Sequence, residues 1–203
     1  MLTKYSDGII EVGLDETGRG PAFGRVYAAA VIWPPSLTSD LVRDSKTIKS
    51  AKAMKIAYDF IKSNAIAVSV AYATEQEIDK FNILQADMLA MHRALDTLEA
   101  QTEFHEIIVD GNYFKPYKGR KHTTIIKGDA KFYSIAAASI IAKYERDLYI
   151  EELCGIQPDL DLKYDLLKNK GYPTPAHLAG IAKHGISPFH RKTFKCCTSH
   201  LGT

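Results

Sequence analysis

The chain has 203 residues, of which 46% are hydrophobic and 25% are charged, a composition typical of a folded domain rather than of a disordered or fibrous protein. Its formal net charge of +2 is too small to indicate a nucleic-acid partner by itself, and no apolar run is long enough to span a bilayer. The N-terminus lacks an apolar signal region and the three cysteines cannot all pair, so we expect a cytoplasmic protein without a membrane anchor.

The first third of the chain predicts three strands and one helix. Short apolar runs at residues 9–14 and 26–33 are separated by a glycine-rich segment, which is typical of a hairpin-like pair of buried strands. Residues 50–63 carry apolar side chains on one helical face, and residues 65–73 alternate as a strand does. These elements begin an α/β pattern.

A helical region is predicted next. Thr74 and Glu77 match the capping box that begins many helices. From Ile83 onward, apolar residues recur at helical spacing. This periodicity predicts a long amphipathic helix that ends near Glu99.

The second half of the chain predicts two more strands and a helix, followed by short helices. Residues 106–111 form a compact apolar strand that ends in a carboxylate and a glycine, and residues 123–127 form another strand. Residues 134–149 predict a helix whose small side chains allow close packing on a sheet. We expect an α/β domain over residues 1–155 and a helical, basic extension packed on it over residues 156–203.

The segment that follows the first strand combines two adjacent carboxylates with a glycine-flanked arginine. Asp15 and Glu16 repel each other unless a cation holds them together. Gly18 and Gly20 let the backbone approach a ligand closely, and Arg19 presents a planar cation suited to phosphate. The segment predicts a metal site beside a phosphate or sugar site, although an exposed turn would have a similar composition.

Four carboxylates each follow an apolar segment or a glycine: Asp15, Glu16, Asp110 and Asp129. Ligands that are all oxygen atoms suit Mg²⁺ or Mn²⁺, which keep waters and accept phosphate oxygens. Two such ions about 3.5–4 Å apart can activate water and stabilise the leaving oxygen of a phosphodiester. Lysines and arginines also cluster in residues 115–131 and 163–195, where they form either a path for a polyanion or an ordinary solvated surface.

With these residues in view, the sequence resembles the ribonuclease HII family, the type 2 ribonucleases H, from about residue 8 to residue 195. The matching blocks follow one another in the family's order. They are Gly13-Leu14-Asp15-Glu16-Thr17-Gly18-Arg19-Gly20, Asp44-Ser45-Lys46, Asn82-Ile83-Leu84-Gln85-Ala86, Val109-Asp110-Gly111-Asn112, Lys127-Gly128-Asp129, residues 136–143 with Arg146-Asp147, Lys170-Gly171-Tyr172-Pro173-Thr174, and Ser187-Pro188 with His190-Arg191.

The resemblance implies a ribonuclease H-like mixed sheet flanked by helices, with a small C-terminal helical appendage. It implies an endonuclease that uses Mg²⁺ or Mn²⁺ to cut the RNA strand of RNA–DNA hybrids and to cut 5′ to ribonucleotides embedded in duplex DNA. Such an enzyme supports the removal of misincorporated ribonucleotides and RNA primers. We expect it to act as a monomer.

The resemblance also implies roles for individual residues. The four carboxylates named above match the family's catalytic, metal-binding set. Gly18-Arg19-Gly20 matches the segment that senses the ribose 2′-hydroxyl, the group that distinguishes RNA from DNA at one nucleotide. Tyr172 matches the tyrosine that stacks on the sugar at the RNA-to-DNA junction, and Lys46 resembles a lysine that contacts phosphate.

Other interpretations of single features remain open. Asp147 is a candidate fifth ligand, but its helical neighbours favour a structural ion pair or hydrogen bond. Lys143 and Arg146 are candidates for phosphate contact, although their pattern favours partly solvated helix cations. A zinc site at the C-terminus would use soft ligands at no standard spacing, namely His190, Cys196, Cys197 and His200. The glycines near Arg19 miss the spacing of a dinucleotide-binding loop.

Two other functions are compatible with parts of the chain. A related nuclease, such as a resolvase-like enzyme acting on branched DNA, would use the same carboxylates. A catalytically silent nucleic-acid-binding module would use the basic extension alone, but it would have no need for four carboxylates beside a phosphate path.

Overall fold

The computed structural model describes residues 1–6 and 8–199. At its centre lies a five-stranded sheet with the order β3-β2-β1-β4-β5. β1 runs antiparallel to β2, as does β2 to β3, whereas β1 is parallel to β4 and β4 to β5. The sheet is therefore mixed, as predicted. The strands are β1 (Glu11–Thr17), β2 (Val26–Ile32), β3 (Ala67–Ala73), β4 (Glu106–Asp110) and β5 (Lys121–Ile125).

Helices cover both faces of the sheet. Side chains of α3 form one apolar cluster with the sheet, and side chains of α1 and α4 form another on the opposite face. β2 lies between the two clusters and is buried along its whole length, which explains why its sequence is continuously apolar. The helices are α1 (Ala51–Asn64), α2 (Glu75–Phe81), α3 (Ile83–Glu99), α4 (Tyr133–Ile156), α5 (Pro158–Tyr164), α6 (Leu166–Asn169), α7 (Pro175–His184) and α8 (Lys195–Thr198).

The predicted capping box is confirmed, but the helical region that it begins is interrupted. The Thr74 amide donates to Glu77 Oε2 at 2.9 Å, and the Glu77 amide donates to Thr74 Oγ1 at 3.2 Å. Asn82 then adopts a φ of 68°, which ends α2, and its Oδ1 accepts from the amides of Leu84 and Gln85. Asn82 thus caps a second helix, α3, because asparagine tolerates the left-handed region better than most residues do.

α4 packs very closely against β1. A Cβ atom at Gly13 would lie only 2.2 Å from the Ser134 carbonyl carbon, so only glycine fits there. The small residues at 136–138 are fully buried on the sheet, which confirms the predicted close-packing face. The helix continues to Ile156, beyond the predicted end at residue 149. This packing fixes the position of β1 and of the residues that follow it.

The C-terminal helices pack on the far end of α4 and on the loop between β1 and β2. Phe23 from that loop lies in one apolar cluster with Ile150 of α4, Tyr164 of α5 and Ile181 of α7. The division into domains at residues 155 and 156 stays a prediction. In the described part of the chain, no helix is long and apolar enough to cross a membrane, and all three cysteines are free thiols.

Candidate active site

Asp15 and Asp110 lie side by side at one edge of the sheet. The parallel strands β1 and β4 pair up to Leu14 and Val109, and the two aspartates directly follow these residues. Alternation along each strand places both on the face that α4 covers, the face of Gly13. Parallel neighbours lie about 4.8 Å apart, so the register alone brings the two carboxylates together.

Glu16 points toward the other face of the sheet, where α3 packs. Asp87 of α3 lies near it, is 1% exposed and has no hydrogen-bond partner for either carboxylate oxygen in the described chain. The nearest cation is Arg19, whose Nε lies 3.8 Å from Asp87 Oδ2 and whose Nη1 lies 3.5 Å from Glu16 Oε1. Sequence reasoning missed Asp87. The available signal was an acid within the apolar stripe of α3, four residues after Ile83 and four before Met91.

Asp129 enters the site from a 3₁₀ turn, Gly128–Ala130, just before α4. The Gly128 amide donates to Asp110 Oδ1 at 2.7 Å, which ties this turn to the end of β4. Lys46 Nζ lies 3.4 Å from Asp129 Oδ2. The predicted phosphate-contacting lysine is therefore in direct contact with one of the four predicted carboxylates.

An open cleft of about 270 Å³ joins most of the predicted residues. Tyr172 is 45% exposed at its rim. A Cβ atom on Gly20 would lie 3.3 Å from Tyr172 Cε1, so the glycine backbone and the edge of the tyrosine ring are nearly in contact. The lining includes Asp15, Glu16, Asp110, residues 18–20, Lys46, Lys143 and Tyr172.

Burial and mutual repulsion affect the carboxylates in this cleft. Desolvation, reinforced by the charges of Glu16 and Asp110, raises the pKa of Asp15 well above its ordinary value. Desolvation also raises the pKa of Glu16 and of Asp110. Acidic groups held together in this way repel one another, and a bound cation would relieve the repulsion.

The donor set fits a hard divalent cation. Within residues 1–6 and 8–199, no three His, Cys, Asp or Glu side chains are arranged to hold an ion by themselves. Mg²⁺ and Mn²⁺ do not require such a cage, because they keep water ligands and take substrate phosphate oxygens. Asp15, Glu16 and Asp110 line the open cleft, and Asp129 lies outside its lining, against Lys46. Carboxylates placed in this way match that partial, all-oxygen coordination.

Of two helix residues with a predicted environment, one differs from expectation and one agrees with it. Arg146 is 1% exposed and donates to the carbonyl oxygens of Phe23 and Arg25, so the prediction of a partly solvated cation was wrong. Asp147 forms an ion pair with Lys143 one turn earlier, in line with its exclusion from the site.

The zinc interpretation gains no support. His190 is fully buried and bonded to His177 and Ser187, and it forms no metal-ligand group with Cys196 or Cys197 in the described part of the chain. The fourth suggested ligand, at position 200, lies outside the described residues.

A buried histidine pair supports the backbone at Tyr172. The Ser187 amide donates to His190 Nδ1 at 2.9 Å, so the proton of the neutral ring lies on Nε2. That proton is donated to His177 Nε2 at 3.1 Å, and His177 Nδ1 in turn donates to the Tyr172 carbonyl oxygen at 2.9 Å. One continuous chain of hydrogen bonds therefore fixes both ring tautomers. We call these two residues the histidine relay.

The histidine relay should make the fold sensitive to acid. Burial lowers the pKa of His177, and burial together with the His177 charge lowers the pKa of His190 to about 3. The unfolded chain takes up protons at these positions below about pH 6.5 while the folded chain does not. Stability is therefore complete above that pH and is lost as the pH falls. For His190 the loss continues toward pH 3, by up to about 1.4 kcal/mol per pH unit.

The measurement is the free energy of unfolding in urea at several pH values between 7.5 and 5. We expect the wild type to lose stability with falling pH more steeply than His190→Gln, which lacks one of the two groups. His184→Gln removes an exposed imidazole and should retain the wild-type slope. Equal slopes for wild type and His190→Gln would show that His190 takes up its proton in the folded state.

Comparison with known proteins places this site in a family. The family model described as Ribonuclease HII matches residues 12–197. A ribonuclease HII of Parabacteroides distasonis is 48% identical over 202 residues, which is 99% of this chain and 98% of the relative. The extent of both matches includes every predicted site residue.

Solved structures share the fold at lower identity. The crystal structure of ribonuclease H2 from Pyrococcus horikoshii OT3 has a TM-score of 0.74 at 24% identity and covers 93% of this chain and 95% of its own. The crystal structure of Bst-RNase HIII in complex with Mn²⁺ has a TM-score of 0.70 at 20% identity and covers 95% of this chain and 69% of its own. Both structural similarities show a shared fold and nothing more.

Proposed function

The chain belongs to the ribonuclease HII family, the type 2 ribonucleases H, which are endoribonucleases, and from this premise we propose that it cuts RNA–DNA hybrids and also cuts 5′ to ribonucleotides embedded in duplex DNA. Its role would be the removal of misincorporated ribonucleotides and RNA primers. One observation carries the proposal. Carboxylates from β1 and β4 line the same cleft as Gly18-Arg19-Gly20 and Tyr172.

The carboxylates would hold two divalent cations, Mg²⁺ or Mn²⁺. Asp15 and Asp110 lie together at the sheet edge, and Asp129 is tied to Asp110 through the turn at Gly128. Glu16 approaches from the α3 side. When bound, such a pair supplies an activated water and stabilisation of the leaving oxygen. The Mn²⁺ complex of the structurally similar Bst-RNase HIII supports this choice of cation.

Recognition of the ribonucleotide would come from the glycine loop and Tyr172. Gly20 and the Tyr172 ring lie next to each other in the cleft, so a sugar bound there would meet both the loop backbone and the aromatic side chain. A ribose 2′-hydroxyl can both donate and accept a hydrogen bond there, whereas a deoxyribose cannot. Lys46 and Lys143 line the same cleft and would neutralise phosphates of the bound strand. Action as a monomer is part of the proposal.

The test is cleavage of an end-labelled DNA duplex that carries one ribonucleotide, with Mg²⁺, with Mn²⁺ or with chelator. An all-DNA duplex, a full RNA–DNA hybrid and a four-way DNA junction are the comparison substrates. We expect a metal-dependent cut 5′ to the ribonucleotide and no cut in the all-DNA duplex. Cleavage of the hybrid alone would remove junction recognition from the proposal. Cleavage of the four-way junction would favour a resolvase-like enzyme, and binding without cleavage in either metal would favour a silent module.

A further inference from the structure

Arg191 is fully buried and holds the glycine loop from behind. Its Nη2 donates to the Gly18 carbonyl oxygen at 2.7 Å, and its Nη1 donates to the Arg19 carbonyl oxygen at 3.2 Å. Its Nε donates to the Gly24 carbonyl oxygen at 2.8 Å, and Nη2 also reaches the Arg25 carbonyl oxygen at 3.1 Å. One guanidinium therefore binds four backbone carbonyls of the loop between β1 and β2.

Arg146 supports the same loop from α4. It donates to the carbonyl oxygens of Phe23 and Arg25 at 3.2 and 3.3 Å. A Cβ atom on Gly18 would lie 2.4 Å from Arg146 Nε, so the loop rests directly on this side chain. Neither Arg146 nor Arg191 forms an ion pair with a carboxylate of the described chain. Burying two cations against carbonyls alone is costly, so the arrangement calls for an explanation beyond stability.

The orientation of the carbonyls determines where the loop amides point. Across a trans peptide bond, the N–H of one residue points opposite to the C=O of the residue before it. No peptide bond in the described chain is cis. Because the Gly18 and Arg19 carbonyls point inward to Arg191, the N–H groups of Arg19 and Gly20 point away from it. Residues 18–20 line the cleft, so these two donors are available on the substrate side.

The residue next to Arg191 holds the other recognition element. His190 belongs to the histidine relay that ends at the Tyr172 carbonyl oxygen. The Arg191 amide donates to the Ala22 carbonyl oxygen at 2.8 Å, and the Ala22 amide donates to the Gly171 carbonyl oxygen at 2.9 Å. The dipeptide His190-Arg191 thus connects the glycine loop to the backbone beside Tyr172 and fixes their relative positions.

We propose that Arg191, assisted by Arg146, is a positioning residue for ribonucleotide recognition. Arg191 orients the Arg19 and Gly20 amides toward the sugar and phosphate, and it sets the distance of these amides from Tyr172. This inference rests on the proposed function and deepens it. The guanidinium touches no substrate. It acts through the loop, and its planar fork is what allows one side chain to reach several carbonyls.

Arg191→Lys tests the proposal because it keeps the charge and removes the fork. The readouts are kcat/KM on a duplex with one ribonucleotide and the inhibition constant of an all-DNA duplex as competitor. We expect kcat/KM to fall about 100-fold, the cost of a misplacement of about 1 Å, while the inhibition constant changes less than about twofold. Arg93→Lys is the matched control, since Arg93 also donates to a carbonyl oxygen and to a carboxylate, away from the cleft.

A merely structural role for Arg191 would give a different pattern. In that case Arg191→Lys and Arg93→Lys would lower kcat/KM equally for an equal loss of melting temperature, or the inhibition constant would rise together with the loss of activity. Either result would overturn the proposal. If Arg191→Lys does not fold, Arg146→Lys takes its place, with an expected loss of about tenfold because Arg146 makes fewer and longer bonds. Unchanged kcat/KM in that variant would also overturn it.

Hydrogen exchange of the backbone amides tests the positioning role independently of the proposed function. In the substrate-free, metal-free protein, Arg191→Lys should change the hydrogen exchange of the Arg19 and Gly20 amides and leave that of β2 unchanged. Unaltered exchange at both amides would reject the positioning role even if the wild-type enzyme cleaves as expected. A wild type that cleaves no ribonucleotide duplex would reject the proposed function, whereas the exchange measurement would still report on the loop.

Discussion

Asp110→Asn is expected to abolish cleavage of RNA–DNA hybrids, with a loss of about 10³-fold or more, while the protein remains folded. The substituted side chain keeps an oxygen at Oδ1 that can still accept from the Gly128 amide, so the turn carrying Asp129 stays in place. The anionic oxygen is lost, however, and a neutral amide is a poor ligand for a hard divalent cation. Removal of charge stabilisation at a reacting centre has effects of this size.

The same substitution should not lower the stability of the protein. Desolvation and the neighbouring Asp129 charge raise the pKa of Asp110, so the charge on Asp110 lowers the stability of the folded protein at neutral pH. We therefore expect the melting temperature of Asp110→Asn to equal or exceed that of the wild type, and affinity for the hybrid to remain. Asp59→Asn, in an exposed ion pair on α1, is the control and should leave turnover unchanged. Wild-type turnover in Asp110→Asn would remove Asp110 from the mechanism.

Gly13→Ala is expected to have the largest effect on folding. The added methyl would lie 2.2 Å from the Ser134 carbonyl carbon and 2.5 Å from the Ile135 nitrogen. Both are backbone atoms at the start of α4, and they cannot move without shifting the helix from the sheet. Overpacking of a well-packed core costs about 1–3 kcal/mol, and rigid backbone on one side places this case at about 3 kcal/mol or more.

The melting temperature measures this cost. At about 2–4 °C per kcal/mol for a chain of this size, Gly13→Ala should melt about 10 °C below the wild type. Gly155→Ala is the control, because a Cβ there meets nothing within 4 Å, and helix propensity should then favour alanine by about 1 kcal/mol. A melting temperature for Gly13→Ala within about 2 °C of the wild type would show that α4 can move away from β1 at little cost.

The sequence was sufficient to predict that Asp15 and Asp110 lie together at the ends of their strands, because local patterns carry that information. Asp15 and Asp110 each end an apolar run, and neighbouring parallel strands bring such ends together. The capping box at Thr74 and the end of α3 at Glu99 were also predictable from local patterns. The break between α2 and α3 at Asn82 was not predictable. Apolar residues recur at helical spacing on both sides of it, and only the positive φ of Asn82 reveals the break.

The supporting residues were harder to predict because their roles depend on distant parts of the chain. Arg191 is a cation in a basic region and Arg146 stands between Glu145 and Asp147, so the sequence context of both favours exposure. Their burial becomes evident only when the loop carbonyls are seen to converge on them. The histidine relay likewise joins residues from α7 and from the segment after it. Asp87 differs, since an acid within an apolar helical stripe was visible in the sequence.

The bonds from Arg191 to Gly18 and Arg19 also join residues near opposite ends of the chain. On a ribosome, all four carboxylates have emerged before α4 is complete, but the Gly18 and Arg19 carbonyls lack their Arg191 donor until residue 191 follows. Contacts between residues so far apart in sequence form late, because closing a long loop costs entropy before any contact compensates for it. The nascent chain would therefore contain all four carboxylates first, and Arg191 would hold its glycine loop only after residue 191 has been added.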